Sequence, residues 1–217
     1  MISIQELLPH IELLESDERL AVGSPTRPFS VVAVGAFLRE EDARCIPFAR
    51  LFRVAWISMT CAERTQAVFG SETIIVGPGE DLQTAQVAFS LARAGELVEA
   101  HPPGTLALIA GPLTPLDAAS DEFANVLLEA LGRARSAGST LLGYFPHPSP
   151  ALFEGWLNQG ERSPWSRSGG LFWCYVNVGD AIIRLEAYEI APGQHDRVAA
   201  IAVAHLQKAF PHPPRPT

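Results

Sequence analysis

A chain of 217 residues with 47% hydrophobic and 18% charged side chains fits one domain, or one domain with a modest extension, and can bury a sizeable core without a cofactor. Its net charge of −8 excludes a generally basic nucleic-acid coat. No apolar run approaches the roughly 20 residues that span a bilayer, and no basic leader precedes an apolar block, so the expected location is the cytoplasm.

The first segment repeats apolar residues at Ile4, Leu7, Leu8, Ile11 and Leu14, a spacing that predicts an amphipathic helix over Ile2 to Ser16. A turn-rich linker follows, and Phe29 to Leu38 reads as a valine-rich strand. Phe48 to Thr60 is β-branched and aromatic, which predicts an antiparallel return strand, and Glu72 to Val76 a third. Asp81 is a plausible N-cap for a helix running to Ala100. A strand over Thr105 to Ala110, a helix from about Ser120 to Ala137 and a strand over Thr140 to Phe145 come next. This strand–helix–strand alternation predicts a sheet covered by helices, an α/β fold. Residues 146–170 are irregular and rich in Pro, Gly and Ser. Leu171 to Val178 and Ala181 to Ile190 form an expected hairpin closed at Gly179 and Asp180, and a helix from about Gln194 to Phe210 ends the fold. The expected division is an N-terminal helix and linker (1–24), one domain (25–211) and a solvated proline-rich tail (212–217).

Few motifs carry chemistry. Cys45, Cys61 and Cys174 are odd in number with no C-x-x-C pair, which argues against a disulfide framework and a zinc site. His195 and His205 are ten residues apart on one helix, too far for one ion, and His147 and His212 lie in proline-rich loops. Gly77 to Asp81 opens a helix but lacks the G-K-[ST] ending of a phosphate loop, and Glu80 and Asp81 repel phosphate. No G-x-S-x-G elbow is present. Charge is uneven: residues 1–154 hold 10 basic and 19 acidic side chains and residues 155–217 hold 6 and 5, net −9 and +1. Any DNA contact is therefore directed to the C-terminal third, where Trp156, Arg162, Trp165 and Arg167 offer aromatic faces for bases and guanidinium groups for phosphate. The alternative is that the tryptophans tuck onto the core.

Two strands end alike. FSVVAVGAF (Phe29 to Phe37) and TLALIAGPL (Thr105 to Leu113) each run into a small residue, a glycine and a turn. With the long helix between them and Arg184-Leu185-Glu186 on a late strand, this order resembles the NurA family of DNA repair nucleases, which work with a HerA-type hexameric ATPase. The resemblance implies a ribonuclease H-like mixed sheet flanked by helices, with three antiparallel strands followed by parallel crossovers. It also implies a homodimer and a role in processing DNA ends. In that family the first strand reads V-D-G-S and the second L-D-G-P-L or L-D-G-S-L. Here Val34 and Ala110 stand at the acidic positions, and Gln86 stands nearest a glutamate expected on the intervening helix. Glu186 is the remnant of the set.

Hard divalent cations need oxygen ligands, and two-metal phosphodiester cleavage needs several converging carboxylates. The expectation is therefore a pseudonuclease without cofactor that binds a HerA-type ATPase or an active nuclease subunit. The alternatives are a manganese- or magnesium-dependent nuclease with acids recruited from Glu40, Asp117, Asp180 or Glu189, or a plain interaction module.

Overall fold

The computed structural model describes residues 12–15, 19–38, 50–76, 82–113, 121–146, 156–179 and 181–209. Outside them lie residues 1–11 of the expected first helix, Glu40, Cys45, the Gly77 to Asp81 turn, Asp117, His147, Asp180, His212 and the tail. In chain order the elements are β1 (Glu12–Leu13), β2 (Leu20–Ala21), β3 (Phe29–Leu38), β4 (Arg50–Cys61), β5 (Thr65–Val76), α1 (Leu82–Glu99), β6 (Leu106–Ala110), α2 (Asp121–Ser136) and β7 (Thr140–Pro146). There follow β8 (Glu161–Arg162), β9 (Ser166–Ser168), β10 (Leu171–Val178), β11 (Ala181–Ala187) and α3 (His195–Ala209). No described helix is long and apolar enough to cross a membrane.

The chain divides into two compact units, residues 27–143 and residues 1–26 with 144–217. In the first, the strands lie in the order β5-β4-β3-β6-β7. β3, β4 and β5 form an antiparallel meander and β6 pairs parallel to β3. This is the strand order that a ribonuclease H-like sheet requires, and the fold is α/β with a mixed sheet. β6, Leu-Ala-Leu-Ile-Ala, is an unbroken apolar run because it is buried on both faces. β5 extends seven residues further than expected. Residues 65–71 carry two adjacent apolar side chains, Val68 and Phe69, and show no apolar alternation, yet each pairs with β4.

α1 contains no proline and packs on β3 and β6 through Leu91, Ala94 and Val98, all fully buried. Phe89 meets Phe52 of β4 with ring centroids 6.2 Å apart. Arg93 stacks 4.2 Å above the Trp56 ring. Trp56 pairs with Gly70, where any side chain would collide with the indole. α2 packs on α1 where Gly95 approaches Ala130.

The end of α1 is tied down by histidine. The Leu97 carbonyl can only accept, so His101 Nδ1 donates to it at 2.6 Å. The ring's Nε2 is hydrogen-bonded to the Ser58 hydroxyl of β4. We expect His101→Ala to lower stability by about 1–3 kcal/mol, because it leaves partly buried polar groups unpaired. Urea unfolding measures this, and an unchanged midpoint would show that the joint contributes nothing.

In the second unit, β10 and β11 form the expected hairpin, with β9 and β8 on the other edge of β10. Leu13 of β1 pairs with Ser166, and β2 pairs with β8. The helix expected to run through Ser16 is thus replaced by strand at Glu12–Leu13: apolar spacing alone could not register that β9 offers this segment a pairing edge. α3 covers the face of β10 that carries Cys174 and Val176. The Cys174 thiol is fully buried and pushed well above its ordinary pKa by desolvation, which makes it inert.

Candidate functional site

The strand ends singled out by sequence come together in the first unit, but not as a ligand pair. Val34 pairs with Ile109 and with Trp56, and paired residues share a face while successive residues alternate. Val34 therefore lies on the face where Arg93 of α1 stacks on Trp56, and it is 2% exposed. Ala110, one residue beyond Ile109, lies on the opposite face with Gly35. A Cβ built on Gly35 would sit 3.4 Å from the Ala110 Cβ. The expectation that Val34 and Ala110 mark two converging positions is corrected by this register: they point away from each other. Gly111, at φ +135°, follows β6, and Gly143 of β7 lies against it: a Cβ on Gly143 would come within 2.8 Å of the Gly111 carbonyl oxygen. Gln86 is half-buried on α1, and its carbonyl accepts from Ser90 Oγ at 2.9 Å. These side chains offer no carboxylate oxygen, so they do not fit a hard dication. Among the described residues, no group of three or more His, Cys, Asp and Glu is placed to hold a metal.

Glu186 belongs to the second unit. It is 1% exposed, pairs in register with Trp173, and has its Oε1 2.8 Å from Arg184 Nε. The N–H is not aimed at that oxygen, so the contact is ionic rather than a hydrogen bond. Arg184 pairs with Tyr175 and donates to its hydroxyl at 3.4 Å. Its guanidinium also lies 5.3 Å from the Trp173 ring and 5.9 Å from the rings of Tyr175 and Phe145. The remnant acid is thus bound into a half-exposed aromatic box around one arginine. The period-2 alternation of LFWCYVNV and AIIRLEA sets Trp173 with Tyr175 and Arg184 with Glu186, and the hairpin register puts all four on one face.

Two of the four residues singled out for DNA contact are interior. Arg162 is 1% exposed and Trp165 is fully buried, which corrects their assignment to a nucleic-acid surface. The alternative, a tryptophan tucked onto the core, describes Trp165. The Arg162 guanidinium donates to both oxygens of Glu15, at 2.5 and 2.6 Å, to the Ser163 carbonyl at 3.1 Å, and to Asp196 at the start of α3. Glu15 Oε2 also accepts the Trp165 backbone N–H at 2.8 Å. Arg167 and Trp156 are on the surface, the Arg167 guanidinium 5.2 Å from the Phe172 ring. A cleft of about 460 Å³ opens beside Arg162 and Asp196, walled by residues 20–26 and Arg197.

Burial raises the Glu15 pKa, but the hydrogen bonds from Arg162 and the Trp165 backbone outweigh it and hold the carboxyl below its ordinary value. Burial depresses His195, which touches the rings of Trp165 and Phe172, and His205. Each of these three groups binds its proton more readily in the unfolded chain, so stability falls as pH falls. The histidine contributions are lost below about pH 6.5 and that of Glu15 below about pH 4.3. We expect Glu15→Gln to flatten the acidic limb in pH-dependent urea unfolding; an unchanged limb would contradict this.

No protein-family model matches the chain, and no curated protein matches it in sequence. Among solved structures, the chain is similar to the NurA nuclease from Sulfolobus solfataricus, at 10% identity over 92% of this chain and 78% of that one, with a TM-score of 0.47. It is also similar to NurA with manganese, at 8% identity over 89% and 86%, TM-score 0.49. Endonuclease V from Bacillus subtilis matches at 12% identity over 94% and 83%, TM-score 0.45. The fold class assigned above rests on strand order and register.

Proposed function

We infer that this protein is a NurA-like pseudonuclease that acts through assembly in DNA end processing or repair. In this reading it is a partner or regulatory subunit beside a HerA-type ATPase or an active nuclease subunit, and it associates with itself. The observation that carries the reading is the hydrocarbon at the two strand ends. Val34 and Ala110 present no oxygen, and they face opposite sides of a sheet whose strand order is ribonuclease H-like. Cleavage needs converging carboxylates to fix metal ions and activate water. Glu186 is committed to Arg184 within its aromatic box. Any DNA contact falls to Arg167 and to the half-exposed Trp173, Tyr175 and Arg184, since bases stack on aromatic rings and arginine meets phosphate.

The test is a manganese-dependent nuclease assay on linear single- and double-stranded DNA, with Glu186→Ala purified in parallel. The reading expects no cleavage by either protein. Cleavage that disappears in Glu186→Ala would replace it with a working nuclease whose ligands come from elsewhere.

A further inference from the structure

Ser58 of β4 reaches His101, just beyond the end of α1. The Ser58 Oγ is hydrogen-bonded to His101 Nε2, and His101 Nδ1 donates to the Leu97 carbonyl at 2.6 Å. A hydroxyl on an imidazole whose other nitrogen is held by an acceptor is the arrangement that activates a serine. The ring takes the hydroxyl proton as the oxygen attacks, and the acceptor fixes the ring's orientation and steadies its positive charge. Here a backbone carbonyl stands in the acceptor's place. Both residues are half-buried, so the pair is held in position without being sealed from solvent.

The surroundings leave room on one side. Residues paired across strands share a face. Ser58 has the fully buried Val32 on one side and Val68, 65% exposed, on the other. In one direction along the strand Arg93 covers the Trp56 ring. In the other lie the half-buried Thr60 and its exposed β5 partner Gln66. The approach to Ser58 is therefore over Val68 and Gln66. One donor on this face is uncommitted: Ser30, which pairs with Thr60, is 5% exposed, and its hydroxyl has no hydrogen-bond partner among the described residues. Ser30 is diagonal to Ser58, a spacing of about 7–8 Å between backbones, so a carbonyl group fits between the two hydroxyls.

We propose that Ser58, activated by His101, is the nucleophile of an acyl-transfer site for small esters, with Val68 beside a short apolar acyl group. Ser58 Oγ bonds to the ester carbonyl carbon while its proton passes to His101 Nε2. Ser30 donates to the carbonyl oxygen as that oxygen becomes negative. The carbon–oxygen bond to the leaving alcohol then breaks, and the alcohol departs with the proton from Nε2. Water hydrolyses the acyl-serine by the same route: it adds to the carbonyl carbon, its proton passes through Nε2 to Ser58 Oγ, and a carboxylic acid is released. This activity needs no nucleic acid and no metal, and it does not rest on the function proposed above.

The test treats the folded chain with a fluorophosphonate, which transfers its phosphonyl group to an activated serine as fluoride leaves, and maps the modified residue by peptide mass spectrometry. The expected result is one label per chain, on Ser58, absent from Ser58→Ala and from the wild type in urea. Ser30→Ala removes only an unpaired hydroxyl, so it should fold and should label roughly 100-fold more slowly. Mapping on the wild type locates the label whether or not a variant folds. A bond that merely ties α1 to β4 leaves Ser58 no more reactive than any other serine. No label on the folded wild type, a label on another residue, equal labelling in urea, or an unchanged rate in Ser30→Ala would each overturn the proposal.

Discussion

Replacing Arg162 by alanine should cost about 3–5 kcal/mol, the range seen when one partner of a buried ion pair is removed. The guanidinium is 1% exposed and holds Glu15, Asp196 and the Ser163 carbonyl together. Without it, the partly buried Glu15 keeps only its bond from the Trp165 backbone among these. The loss should register in β1 as well as at Arg162, because Glu15 follows Leu13 and the Leu14 N–H donates to the Trp165 carbonyl at 2.9 Å. Urea unfolding gives the energy, and hydrogen exchange in residues 12–15 gives its location. A loss within about 0.5 kcal/mol, the usual range for surface substitutions, would mean that Arg162 is solvated and free for another role. Arg162→Lys should recover only part of the loss, since one ammonium cannot reproduce the planar fork that meets both oxygens of Glu15.

The second large effect concerns the missing acids. Val34→Asp should cost about 3–5 kcal/mol, because an aspartate at this 2% exposed position between Trp56 and Ile109 must be buried ionised or protonated at a penalty. Ala110→Asp should cost roughly 1 kcal/mol, since that position is only half-buried. The double variant should not gain manganese binding, because the two carboxylates would project from opposite faces. Gly35→Asp with Ala110→Asp is the informative contrast: those positions share a face, with Cβ atoms about 3.4 Å apart. A gain of manganese binding in the Val34 and Ala110 pair would refute the register assigned here.

These results separate what the sequence carries from what only folding decides. The central strands were legible because Phe29–Leu38 and Leu106–Ala110 are dense in β-branched and aliphatic residues and end in glycine turns. α1 and α3 were legible from periodicity and the absence of proline. The full extent of β5 was not, because an edge strand exposed on both faces has no reason to alternate. The relation of Val34 to Ala110 was equally hidden. Both precede a glycine, yet a shift of one residue between β3 and β6 turns them to opposite faces. Arg162 and Trp165 looked like surface residues because the Pro, Gly and Ser around them are typical of loops. Their burial depends on Glu15, almost 150 residues earlier, and no local pattern signals that pairing.

The claim that the strand ends cannot hold catalytic metal is tested most directly by calorimetric titration of manganese into the folded wild-type chain. No saturable heat is the result predicted by Val34, Ala110 and Gln86 in place of acids. A saturable site that Glu186→Ala abolishes would contradict the account and make this chain a metal-binding nuclease candidate.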